Sequence, residues 1–227
     1  MGKRPICSCL VINILLFSWL ILASNFVCFA GGEAPPQDSG DKVCILEDFS
    51  AGALDNNWWR FGDLTESFAV PEDPRVGAHF LKLIGTAKDW YVGGRGFYVG
   101  KDASQYDALE LWILGKGPSS GKLKIELFDD DNNTREIEQD TRFQPTKDDK
   151  FEYELKINWV GWKKVTIPFK SFSDANPGVG NDLWDPRMSG DSAGLTQIQF
   201  IFIAGSETGS VSSGLGRICL VKSATTK

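Results

Sequence analysis

From Lys42 onward the chain is a train of short apolar runs, KVCILEDF, HFLKLIGT, GFYVG, ALELWILG, KLKIELFD, FEYELKIN, WKKVTIPF, TQIQFIFI and RICLVKS, each ended by glycine, proline or an Asp/Asn cluster. Within the runs apolar and polar residues alternate with a period of two, which turns one face of an extended chain to a core and the other outward. No segment carries apolar residues at helical spacing over a convincing length, and no internal repeat is visible. The pattern predicts an all-β fold, a sandwich of two antiparallel sheets rather than strands alternating with helices.

The alternation separates two faces. Leu109, Leu111 and Ile113, then Leu123, Ile125 and Leu127, then Ile198, Phe200 and Phe202 form a uniformly apolar side. The opposite side mixes Glu110, Trp112, Lys124, Glu126, Phe128, Gln197 and Gln199. An ordinary solvated sheet has such a face. So has a sugar-binding surface, where aromatic rings cover the apolar C–H faces of a pyranose and carboxylates and amides take its hydroxyls.

The 227 residues suffice for one domain with a real core, and their net charge of −6 offers no basic patch for nucleic acid. Catalytic constellations are scarce. His79, the one histidine, alternates with Leu81 and Leu83 and reads as structural, so no Ser/His/Asp set can be assembled. Glu136 and Glu138 come nearest to a glycosidase carboxylate pair, and surface solvation explains them equally well. Asp129, Asp131 and Asn133 alternate like the start of a calcium loop, but Thr134 stands where that loop needs glycine, which favours a turn. GGRGF at 93–97 lacks the spacing of a phosphate-binding loop, and its glycines mark a bulge or tight bend among Trp90, Tyr91 and Tyr98. One of Trp58 and Trp59 is expected in the core.

The N-terminus differs. Lys3 and Arg4 precede LVINILLFSWLILA, and VCFA follows, the layout of a secretory signal peptide over residues 1–30. An uncleaved membrane anchor is the second reading of that segment. Residues 31–41, GGEAPPQDSGD, form a flexible linker, and the domain proper is expected over 42–223. Cleavage would remove Cys7, Cys9 and Cys28, leaving Cys44 and Cys219, and an even pair in an exported protein reads as a disulfide. The expected location is extracytoplasmic, secreted or periplasmic.

The D-x-S-x-Y-D-x-L run at Asp102–Leu109 and the W-x-x-V-x-I-P-F-x-x-F run at Trp162–Phe172 are the most specific motifs. With them, Val43 to Val221 resembles carbohydrate-binding module family 11 and the complex I intermediate-associated protein family, both of the galactose-binding-like β-jelly-roll group. The resemblance implies first and last strands adjacent and antiparallel, which brings Cys44 and Cys219 within reach. It also implies a structural calcium near Glu47 and Asp48, although the last strand here reads ICLVK, without the acidic pair of relatives. No other cofactor is implied. For function it implies an exported, non-catalytic carbohydrate binder, with stacking by Trp112, Trp90, Tyr91 or Trp184 and orientation by Glu110, Glu126, Gln197, Gln199 and Arg95. Two other classes remain open at this level: an assembly protein using the same face for a protein partner, and a glycoside hydrolase.

Overall fold

The computed structural model describes residues 42–222; the signal or anchor segment 1–30 with its three cysteines, the linker 31–41 and Ser223 lie outside the described residues. In chain order the strands are β1 Lys42–Glu47, β2 Trp58–Gly62, β3 Thr65–Ala69, β4 Phe80–Thr86, β5 Tyr91–Lys101 and β6 Ala108–Lys116. There follow β7 Lys122–Asp130, β8 Asp149–Lys156, β9 Val160–Pro168, β10 Ser173–Asp174, β11 Met188–Ser189, β12 Ser192–Ile203 and β13 Ser210–Lys222.

Two antiparallel sheets pack face to face as a jelly-roll sandwich. The first runs β3-β4-β13-β6-β9, with β1 also paired to β13; the second runs β10-β8-β7-β12-β5-β2, with β11 on the end of β12. β13 is the spine of the first sheet: β4 takes Ser210–Leu215 and β1 takes Ile218–Lys222 along one side, while β6 takes the other. The apolar side read from the sequence is the core. Leu109, Leu111 and Ile113 of β6 meet Leu123, Ile125 and Leu127 of β7 and Ile198, Phe200 and Phe202 of β12, all at 0–1% exposure. Trp58 closes one end of this core by stacking on Phe97, with ring centroids 4.4 Å apart.

Among the described residues one ion pair bridges the strands of the two sheets. Arg95 of β5 stands opposite core-facing Phe200 and is 5% exposed, and its guanidinium meets the Glu66 carboxylate of β3. Removing one member of a buried pair strands the other charge. Arg95→Met is therefore expected to cost about 3–5 kcal/mol in chemical denaturation, and adding Glu66→Leu should recover most of that loss.

The seam between first and last strands forms as expected, but the disulfide does not. Cys44 stands opposite Leu220 and Cys219 opposite Ile45, one residue out of register, and a one-residue offset sends side chains to opposite faces. Cys44 packs toward the core with Leu46, Cys219 sits outside with Ala108 and Val221, and both thiols are free. Burial, helped by the Glu110 carboxylate, pushes the Cys219 thiol up to about 11, which keeps it unreactive. Alkylation under denaturing, non-reducing conditions should label both cysteines; a linked pair would overturn this register.

Candidate functional site

The outer face of the second sheet is a trough, and cross-strand register lays its side chains in rows. One row runs Glu152, Glu126, Gln199, Gly96, Trp59 across β8, β7, β12, β5 and β2. Beside it lie Glu154, Lys124, Ile201, Gly94 and Phe61, and on the other side Lys150, Phe128, Gln197 and Tyr98. The cavity over these rows has a volume of about 710 Å³.

The glycines of GGRGF shape its aromatic end. A Cβ on Gly96 would lie 2.3 Å from the Trp59 ring, and one on Gly94 2.4 Å from the Phe61 ring. Both rings therefore lie flat on bare backbone, which only glycine permits, and they offer their faces to the trough. Tyr91 flanks them, its phenol raised above its ordinary value by burial and by the Asp63 carboxylate.

The opposite end is walled by the 131–148 segment that joins β7 to β8. It sets Gln139, Gln144 and Phe143 over the trough, with Phe143 at φ 60° and 77% exposed. Its base is the Asp/Asn cluster, which folds as a turn. Asp130 accepts from the backbone N–H groups of Asn132, Asn133, Arg135 and Ala193, letting Asn133 and Arg135 take positive φ. Asp131 and Asp149 hold the 181–183 segment in the same way, through the Asn181 side-chain amide and the N–H groups of Asp182 and Leu183.

Polar groups line the floor between. Lys124 Nζ lies 2.7 Å from Glu126 and 3.4 Å from Glu152. Burial opposes its charge, but Glu126 and then Glu152 outweigh that and hold the ammonium above its ordinary value. Lys150 Nζ donates to Gln144 Oε1 at 3.0 Å, linking floor to wall.

The expected site residues thus divide. Glu126, Gln199 and Tyr91 line the trough, and Gln197 lies on the same face beside Phe128. Trp112 and Glu110 do not join them. Their strand, β6, belongs to the first sheet, so they face out on the far side of the sandwich, Trp112 under the Arg75 guanidinium and Glu110 paired with Lys164 and Thr166. Arg95 points inward to Glu66 and cannot reach a ligand. Trp184 packs edge-on against Phe151 and beside Phe169, where it lines a separate cavity of about 650 Å³. Trp90 is exposed in the turn before β5, where its backbone bonds the 204–207 segment, outside the trough lining. The sequence reading missed Trp59, Phe61, Phe143, Gln144 and Lys150. The alternation in WWRF, with Trp58 inward, was the available signal for the first two.

The calcium expectation does not fit the residues present. Glu47 accepts from the N–H groups of Asp48 and Phe49 and from the Trp58 indole, and Asp48 accepts from Ser50. Three N–H donors on Glu47 take up most of that carboxylate's acceptor capacity, and no group of three metal-ligating side chains occurs among the described residues. Nor is a glycosidase pair assembled: Glu126 and Glu152 share Lys124, Glu136 is exposed on the loop, and Glu138 is held by Asn132.

Known structures share this architecture. The family 11 carbohydrate-binding module of Clostridium thermocellum, solved with a β-1,3-1,4-mixed-linked tetrasaccharide, matches with a TM-score of 0.54 at 16% identity, covering 80% of this chain and 96% of the module. This chain has the family 11 module fold. The family 11 module of the cellulosomal cellulase Lic26A-Cel5E from the same organism matches with a TM-score of 0.52 at 16% identity, covering 82% and 97%. No protein-family model and no curated protein sequence matches the chain. At such identity the likeness is one of backbone path, so what the trough takes has to be argued from its own side chains.

Proposed function

We propose that this chain is an exported, non-catalytic carbohydrate-binding module that holds an oligosaccharide or polysaccharide segment along the second sheet. The observation that carries this reading is the pair of rings, Trp59 and Phe61, flattened over Gly96 and Gly94 beside a floor of Gln199, Glu126 and Lys124. Flat, half-buried rings suit the C–H faces of sugars, and the amide and charged groups suit their hydroxyls. An open trough with Phe143 at one end and Trp59 at the other suits a linear chain better than a single sugar. The neighbour of like fold that was solved with a mixed-linked tetrasaccharide supports the same ligand class. Export rests on the basic, apolar and small-residue order of residues 1–30.

The test is retention of the purified protein in gels containing soluble glucans, mannans, xylans and pectins, followed by calorimetry on whichever retards it. Retardation that is lost in Trp59→Ala supports the reading. Free migration in every gel at millimolar ligand would end it.

A further inference from the structure

The charges of the trough are unevenly paired. On the trough face Lys124 and Lys150 stand with Glu126, and Glu152 and Glu154 lie in the same cross-strand rows. Lys124 is neutralised twice, by Glu126 and by Glu152 from the trough edge. Lys150 is not neutralised at all. It is 8% exposed, and among the described residues no carboxylate lies within 4.0 Å of its ammonium. Its neighbours in the chain turn away: Asp148 accepts from the Asp131 N–H, and Asp149 accepts from the N–H groups of Asp182 and Leu183. The one partner of Nζ is the neutral Gln144 Oε1.

An ammonium has three N–H bonds to place, and burying it without a counter-charge is costly unless an anion completes the site. Lys150 sits at the floor of the trough beside Phe128 and under the wall that carries Phe143, where a ring stacked on Phe143 would bring a substituent down to it.

We infer that the ligand of this trough is an acidic glycan, one whose sugars carry a carboxylate that Lys150 receives together with Gln144. The inference rests on the carbohydrate-binding reading and names its ligand class. A charge-assisted hydrogen bond in a water-poor site separates an acidic sugar from its neutral counterpart by about tenfold or more.

Calorimetry of the purified protein with β-1,4-linked tetraglucuronate and with the neutral β-1,4-linked glucose tetramer isolates the carboxylate, because the two backbones are otherwise alike. The expected result is a preference for tetraglucuronate of about tenfold that shrinks as salt rises from about 0.02 to 0.5 M. The preference should vanish in Lys150→Met, which keeps the aliphatic stem. Should that variant fail to fold, Gln144→Glu supplies the counter-charge from within and should abolish the preference with Lys150 in place. Equal affinity for the two tetramers would overturn the inference and leave carbohydrate binding standing. Preference for a sulfated glucan tetramer over both would overturn it as well, by assigning Lys150 to another anion. Failure to bind any of these or the neutral polysaccharides would remove both readings together.

Discussion

Between pH 8 and pH 5 the melting temperature of this domain is expected to rise, by about 5–10 °C, where most proteins lose stability as their carboxylates are protonated. The cause is the carboxylate cluster beneath the 131–148 wall. Burial pushes Asp129 up to about 8, with the Asp185, Asp131 and Asp149 carboxylates adding to it against one backbone N–H from Asp185. Burial likewise carries Asp148 up to about 7 and Asp131 up to about 6, and it raises Asp149. Against an unfolded value of 3.8, each of these groups binds its proton more tightly in the folded state. Their contribution is therefore fully present below pH 3.8 and is lost as pH rises through 6, 7 and 8. The carboxylates shifted the other way, Asp63, Asp73, Asp102, Asp140 and Glu138, have N–H or O–H donors from Lys88, Arg75, Ser104, Gln144, Arg142 and Asn132 at the surface. Solvent screens them, and they act only near pH 4 and below. The cluster then contributes on the order of 3 kcal/mol over the window. Scanning calorimetry from pH 5 to 8 checks it, and Asp129→Asn should flatten the curve. A melting temperature that falls steadily toward pH 5 would require a counter-charge held at the cluster.

The second large effect concerns the trough alone. Trp59→Ala is expected to weaken glycan binding by at least about thirtyfold, as removal of a central aromatic anchor does. Gly96→Ala should do nearly the same without touching Trp59. The three atoms nearest the new Cβ, at 2.3 to 2.8 Å, all belong to the Trp59 side chain, so the ring must lift off the sheet. Gly94→Ala is a poorer probe, because its Cβ would also meet the Phe200 carbonyl at 2.4 Å and disturb the sheet itself. Calorimetry for affinity and thermal melts for folding separate the two effects. If Gly96→Ala bound glycan as well as the parent, the flattened ring would not be the platform.

Much of this architecture was legible beforehand. The long runs from KVCILE to RICLVK all became strands, and the apolar sides read for β6, β7 and β12 turned inward, because period-two alternation is a local property of the chain. Sheet membership is not local. ALELWILG and KLKIELFD look alike in the sequence, yet β6 and β7 belong to opposite sheets, so Trp112 and Glu126 face away from each other across the whole sandwich. The reading that merged their polar sides into one surface could not see that. The short strands WWRFG and TESFA escaped notice for a different reason: five residues give too few alternations to stand out. Phe143 and Gln144 lie in a connecting segment, where position comes from Asx-type bonds at the base and carries no period.

The seam of β1 and β13 has one more consequence. Lys42 is directly opposite Lys222, so the folded chain begins and ends side by side on the first sheet. Both ends of the described chain therefore attach to the first sheet, and the trough lies on the other one. The domain can hang from a single point, accept insertion into a loop of another protein, or be circularly permuted through a short linker, with the trough unobstructed in each case.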